Sequence, residues 1–442
     1  MSEQDSKTPN HNLSPMGCPM HAADVDLFSE GAPEHWYEAY DILHGESPVH
    51  RIPGEGFEPG TDAFILTKHE DIAAVVRDQD RFPLPGAMLV QQMAASGDDP
   101  FAGDNVSVLF ASMTTLRPNP EMWRTHRQEL TDPWVGPGAG RNEAMIQEVT
   151  NELIDNWIDG GQVEFVSQFA QPLPQMTMAH VLGWPIEDLK LLKKFGDGCV
   201  KPFVYGSGHR NVLTDEEVAS QFVVLNEFRQ YTDDLIEQRR KQPQDDMISF
   251  LTQVEYSPLQ RKLINDEING IVYAMVIGGL ETTQYALAEQ VQLLIERPHI
   301  WQALKQDRSK VRAFTEEGMR LRSPTQGLST RITSQDEVFQ GVQVPKGSFL
   351  HLRWAAANID PDEWEDAKQL KLDRKAGTRH LTFSQGARVC PGAHLSRLEQ
   401  VTAWNTLLDR VGEFEYAQGN TFMHQPGIML GTLELHLKFD KT

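Results

Sequence analysis

Residues 383–392 read FSQGARVCPG, and the rest of the chain can be read outward from them. Cys390 stands between a glycine-rich turn and a helix expected over Gly392–Leu408. Pro391 suits a first helical position, because the N–H it lacks is one the helix leaves unpaired. A thiolate at Cys390 then faces the free N–H groups and positive dipole end of that helix. Such a setting favours an anion by roughly 0.3–1 kcal/mol, and by about 2 kcal/mol when partly buried. Gly386 and Gly392 let the backbone approach a flat object lying over the sulfur. Arg388 offers a fork of donors to a carboxylate on that object.

A thiolate beneath a planar, carboxylate-bearing group describes haem held by cysteine. The spacing Phe383, Gly386, Arg388, Cys390, Gly392 resembles the haem-binding signature of the cytochrome P450 monooxygenases. A lone buried cysteine is the ordinary alternative, but it has no need of four further fixed positions. Ser384 departs from the pattern, in which glycine commonly follows the phenylalanine. The resemblance implies haem b (iron protoporphyrin IX) as cofactor, with Cys390 as the ligand to its iron.

The formal charge of the 442 residues is −23, from 40 Lys and Arg against 63 Asp and Glu. That surface argues against nucleic acid or an anionic membrane as partner. The sequence lacks an apolar run of about eighteen residues or more, so a transmembrane helix is not expected. The polar start MSEQDSKTPNHNLSP has no apolar signal-peptide core. Three cysteines, Cys18, Cys199 and Cys390, suggest no disulfide framework, as in a reducing compartment. Cys18, in GCPMH, reads as a tail thiol rather than a metal or redox site. The expectation is a soluble, cytoplasmic protein.

Residues 1–30, rich in Ser, Pro, Asn and His, read as a flexible arm, and 31–442 as one domain. Periodicity predicts helices at Glu34–Leu43, at DIAAVVRDQDRF, and at Met122–Leu130, Ala144–Asp159, Val163–Leu182 and Glu216–Lys241. Further helices are expected at Asp266–Glu296, Ile300–Asp307 and Lys310–Arg322, and after Cys390 to about Arg410. Short strands are expected at Val49–Arg51, Ala63–Thr67, Ser329–Thr333, Val342–Val344, Phe349–Leu352, Phe414–Tyr416 and Thr432–Phe439. The fold class is therefore mainly α with a minor β-sheet region, which also resembles the cytochrome P450 fold. Between Pro83 and Pro120 the pattern fades while apolar residues persist, which reads as a loop lining a pocket or as a mobile surface loop.

On the long expected helix, GGLETT spans Gly278–Thr283. Two glycines in a helix interior cost about 1 kcal/mol each relative to alanine, so they suit a place where backbone makes room for a ligand. Thr282 can bond a carbonyl one turn back and bend the helix. Glu281 beside it is an acid able to relay protons. The resemblance implies that Glu281 and Thr282 handle protons during O2 activation. It also implies that Trp123, Arg127, Arg331 and Arg388 hold the haem propionates, with Phe383 and Gly392 against the ring. Glu317 and Arg320 share a helix face, and the resemblance implies a buried structural pair beneath the haem.

From Arg374 to Arg397 there are five Lys or Arg (Arg374, Lys375, Arg379, Arg388, Arg397), with His380 and His394 and no acid. Such a basic run on an acidic protein suits an acidic electron donor. An iron–sulfur ferredoxin with a ferredoxin reductase is implied as partner. Substrate residues implied by matching regions are Phe110, Met113, Tyr273, Val276, Ile277, Gly278, Leu328, Ile428 and Met429. They are apolar, which points to a small or medium hydrophobic substrate. GGLETT, RITSQDEVFQGVQVPKG and HQPGIMLG resemble the camphor-hydroxylating branch, implying a terpenoid-like or alicyclic substrate. O-demethylation of an aromatic methyl ether is the alternative reaction. A peroxide-dependent haem enzyme and a haem-binding sensor are the alternative classes.

Overall fold

The computed structural model describes residues 18–29, 31–86, 88, 116–117, 119–204, 213–327, 330–375, 379–425 and 427–441. Its helices in chain order are α1 (Trp36–Glu46), α2 (His69–Arg77), α3 (Pro120–His126), α4 (Glu143–Asp155), α5 (Pro172–Leu182), α6 (Leu189–Val204) and α7 (Asp215–Lys241). They continue with α8 (Met247–Gln253), α9 (Asn265–Gly279), α10 (Thr282–Glu296), α11 (Pro298–Gln306), α12 (Val311–Leu321), α13 (Trp354–Asn358) and α14 (Ala393–Arg410).

Strands are short and lie at the edges of this helical mass. They are β1 (Val49–Ile52), β2 (Ala63–Leu66), β3 (Gln162–Glu164), β4 (Glu255–Tyr256), β5 (Arg261–Lys262) and β6 (Thr330–Ile332). The rest are β7 (Glu337–Phe339), β8 (Val342–Val344), β9 (Phe349–Leu352), β10 (Val411–Tyr416) and β11 (His436–Lys441). The largest sheet has the order β1-β2-β9-β6, with β2 and β9 parallel. Every residue of β2 is buried, as a strand covered on both faces requires. A second sheet has the order β10-β11-β3.

Local chemistry explains the best-defined ends. Thr214 accepts from the Glu217 amide at 3.2 Å, and the Glu217 carboxylate receives the Thr214 amide at 2.9 Å. That reciprocal box starts α7, and Arg239, Arg240 and Lys241 end it where cations suit the dipole. The main core joins residues of α4 to α11 and α14, including Phe165, Phe169, Phe228, Tyr273, Trp301 and Trp404. A second core holds Leu27, Phe28, Trp36, Tyr40 and Leu43.

Three expectations are corrected. The arm does not extend to residue 30: Leu27 is 1% exposed, and its carbonyl accepts the Trp36 indole N–H at 3.1 Å. The helix expected over Val163–Leu182 begins as β3, paired to β11, because Phe165 N–H bonds Leu435 O at 2.8 Å. A helical turn at Val166–Ala170 follows, and α5 itself begins at Pro172, which suits a first turn. The helix expected over Asp266–Glu296 is interrupted at Leu280 and Glu281. Finally, α6, α8 and α13 carry no sequence expectation. In α6, Gly196 and Gly198 weaken the helical signal, yet both serve packing. A Cβ at Gly196 would lie 2.5 Å from Leu280 Cδ1, and one at Gly198 2.4 Å from Val224 Cγ1.

Candidate active site

The loop before Cys390 is fixed by its own backbone. Gly386 has φ +75°, and a Cβ there would approach the Arg77 Cα to 3.3 Å, so this turn requires glycine. The Cys390 amide donates to Phe383 O at 2.8 Å, and the Arg397 guanidinium lies 4.5 Å over the Phe383 ring. Gly392 is the N-cap of α14, so Pro391 lies outside the helix rather than at its first position. A Cβ at Gly392 would stand 4.0 Å from Cys390 Sγ, which leaves the sulfur approachable. Burial pushes the Cys390 thiol up, against the Gly392 and Ala393 amides and the Arg127 and Arg397 charges. Burial wins, so the helix end expected to favour a thiolate does not suffice alone. A cation bound directly to the sulfur would reverse that balance.

Arg127 is engaged by the cysteine loop itself. Its guanidinium donates to the carbonyls of Val389 and Cys390, the latter at 3.3 Å, and lies 3.6 Å from Asp132. It clamps the cysteine loop. Three other guanidiniums form a cationic group: buried Arg331 in β6, and half-buried Arg388 and Arg117, the last missed by sequence reading within the weakly patterned 83–120 segment. Arg117 and Arg388 each lie 4.1 Å from the Trp123 ring. Arg388 also donates to Gln79 Oε1 at 2.7 Å. Burial, then repulsion by Arg388, pushes Arg117 and Arg331 down to about 9, and burial lowers Arg388 to about 10. The buried Trp123 Nε1 has no hydrogen-bond partner among the described residues. Mutually repelling cations, two of them over a ring whose indole N–H is unbonded, fit a dianionic edge, such as the two propionates of haem.

The interruption between α9 and α10 lies close to the cysteine helix. Thr283 and Ser396 hydroxyls meet at 2.9 Å, and Ser396 N–H bonds Gly392 O at 2.9 Å. Thr282 donates to Gly278 O at 2.7 Å, the back-bond that diverts the helix. A Cβ at Gly278 would meet nothing within 4 Å, so this turn faces open space. Glu281 receives the Tyr285 phenol at 3.0 Å. Burial pushes its carboxyl up to about 7, with Tyr285 pulling the other way.

Of the implied substrate residues, Ile277, Ile428 and Met429 come together in one apolar cluster with Val200 and Tyr285. Tyr273 and Val276 do not join it. Both are fully buried in the main core, and the Tyr273 ring packs on Phe228 of α7. Phe110, Met113 and Leu328 lie outside the described residues.

Glu317 and Arg320 are buried and doubly bonded, at 2.8 and 3.0 Å. Arg320 also donates to the carbonyls of Asn358, Ala367 and Gln369. Arg374 joins Glu317 at 2.9 Å. The basic run is thus largely neutralised, contrary to expectation. Arg374 is paired inside, Arg397 and His380 both bind Glu316, and Arg379 meets Glu363 at 2.7 Å. The acids that cancel it come from α12 and from the segment before Arg374, so the run alone could not reveal them.

Among the described residues, no helix is long and apolar enough to cross a membrane. The family model described as Cytochrome P450 matches residues 214–439. The polyketide biosynthesis cytochrome P450 PksS of Bacillus subtilis (strain 168) is 26% identical over 399 residues, 88% of this chain and 93% of the relative. The biotin biosynthesis cytochrome P450 of the same organism is 28% identical over 384 residues, 86% and 90% of the two chains. The structure of P450BioI in complex with hexadec-9Z-enoic acid ligated acyl carrier protein superposes with a TM-score of 0.79 at 24% identity, covering 92% of this chain and 99% of that one. Together with the cysteine loop and its arginine-lined surroundings, these matches make the chain a member of the cytochrome P450 family, a haem-b-dependent monooxygenase.

Proposed function

We propose that this enzyme inserts one oxygen atom from O2 into a small or medium hydrophobic substrate, of terpenoid-like or alicyclic type, using electrons from NAD(P)H through an iron–sulfur ferredoxin and its reductase. The observation that carries the substrate class is the apolar cluster of Ile277, Ile428 and Met429 next to the open turn at Gly278. Apolar walls with few polar groups orient a hydrophobic ligand and exclude water. The resemblance of the runs near Gly278, Arg331 and His424 to the camphor-hydroxylating branch supports the same class.

Bound haem supplies the oxygen-activating chemistry. Cys390 holds the iron through its sulfur, and Arg127 keeps the loop carrying that sulfur in place. Arg117, Arg331, Arg388 and Trp123 take the propionates. Glu281 stores a proton near neutral pH and Thr282 stands beside it at the helix interruption, an acid and an alcohol suited to moving protons inward. Ferredoxin docking is supported by the exposed Arg312 of α12, beside His394 at the start of α14, whose own protonation burial and the neighbouring arginines disfavour.

The first test is the absorption spectrum of the reduced protein with carbon monoxide. A strongly red-shifted Soret band that is lost in Cys390→His is expected, and an imidazole-type band would overturn the assignment of Cys390. Turnover follows, with NADH and a surrogate ferredoxin against peroxide alone. The substrate panel holds alicyclic terpenoids, aromatic methyl ethers and acyl groups on a carrier protein, and oxidation confined to either of the last two removes the proposed class.

A further inference from the structure

Behind the interruption between α9 and α10 lies a cavity of about 220 Å³. Lys193, Gly196 and Asp197 of α6 form one wall, Glu281 and Tyr285 another, and Gln425 of the C-terminal segment a third. Thr282 is not among its lining residues, since its hydroxyl turns to Gly278 O. At about 30 Å³ per molecule of liquid water the space holds several waters, and its amide, hydroxyl and charged walls supply their partners.

One hydrogen-bonded chain crosses this cavity wall. Gln425 Nε2 donates to Tyr285 Oη at 2.5 Å, and Tyr285 Oη donates to Glu281 Oε2 at 3.0 Å. The order is set by chemistry: an amide N–H only donates, so the phenol oxygen accepts it and the single phenol proton is left for the carboxylate. The Glu281 carboxyl is therefore held toward the cavity, on the side away from the Thr282 back-bond. Asp197 and Lys193 face it from α6, the first raising its proton affinity and the second lowering it.

We propose that Tyr285, itself held by Gln425, is a positioning residue that fixes the Glu281 carboxyl against this cavity, where solvent water reaches it. The proposal rests on the reading of Glu281 as a proton donor given above. Each proton that Glu281 passes toward Thr282 is replaced by one from cavity water, which is replenished from bulk. No electron moves, and no bond other than O–H forms or breaks.

The test is an isotope-edited infrared titration of the Glu281 carboxyl in the haem-loaded full chain, with Glu281→Gln identifying the band. The same samples give the pH profile and solvent deuterium isotope effect of NADH-driven O2 consumption through a surrogate ferredoxin and reductase. Tyr285→Phe removes a bond to the charged carboxylate, so the titration midpoint should rise by about one unit. Gln425→Leu should move it the same way by less. The pH profile should follow the midpoint and the isotope effect should grow, while haem content stays unchanged. An unmoved midpoint in Tyr285→Phe overturns the proposal, as does a moved midpoint that neither profile nor isotope effect follows. An unaltered profile and isotope effect in Glu281→Gln instead removes the proton-donor reading beneath it, and the proposal with it, whatever the infrared midpoints do.

Discussion

Ser384 has φ +58° and ψ −170°, a region that a residue carrying a Cβ enters at a cost of about 1–3 kcal/mol. Its Oγ is buried and lacks a hydrogen-bond partner among the described residues, which costs about 1–3 kcal/mol more. Ser384→Gly removes both penalties. The freer unfolded chain returns only about 0.4–1 kcal/mol of that. The expected balance is a gain of about 3 kcal/mol, and at least about 1 kcal/mol at the low end. Ser384→Ala keeps the Cβ and loses only the hydroxyl, so it should gain about 1 kcal/mol or more from the second term alone. Ser384→Val should be less stable than the natural protein, because a branched side chain suits this backbone least. The assay is urea unfolding of the haem-loaded protein, followed by both far-ultraviolet circular dichroism and Soret absorbance at unchanged slope. If the glycine variant is less stable than the alanine variant by the full chain-entropy cost of about 0.4–1 kcal/mol, backbone strain at Ser384 is absent and the reasoning fails.

Glu317→Ala leaves Arg320 and Arg374 buried without their shared carboxylate, which should cost about 3–5 kcal/mol and depress the yield of haem-loaded protein; a normal haem yield would contradict this. Gly386→Ala forces a Cβ into positive φ against the Arg77 backbone. It should lower stability by about 1–2 kcal/mol and speed haem loss to apomyoglobin. His424 lies 3.5 Å from Glu34 and 3.4 Å from Glu289. Burial opposes its charge, but the two carboxylates raise it to about 9, above its ordinary value. A raised histidine contributes stability that is complete below about pH 6.5 and lost as pH rises through about 9. Unfolding free energy should therefore fall by up to about 3 kcal/mol across that window, and His424→Gln should flatten that part of the curve.

What the sequence made legible is what depends on neighbours in the chain. Gly386, Cys390 and Gly392 act within one loop, and Thr214 with Glu217 within one turn, so their spacing carries their meaning. The interruption at Leu280 was half visible. GGLETT signalled a bend, but whether a back-bond merely tilts a helix or ends it depends on what packs behind, here Leu280 against Gly196. The bond from Arg127 to Val389 was hidden for a related reason: a guanidinium one turn from Trp123 can reach a carbonyl as well as a propionate, and spacing alone does not place Val389. The basic run misled most. Glu316, Glu317 and Glu363 cancel Arg397, Arg374 and Arg379, and they lie outside the run whose charge was counted.

The clamps on the chain leading to Cys390 differ greatly in chain separation. Glu317 and Arg374 meet across 57 residues, whereas Arg127 reaches Val389 across 262. Closing the longer loop costs about 1.4 kcal/mol more in chain entropy. The region from α12 to Cys390 can therefore knot itself first, while the N-terminal half is still finding its place. Arg127 then arrives as the latch that joins the two. In kinetic terms, Glu317 variants should slow refolding, whereas Arg127 variants should refold at the natural rate and unfold faster.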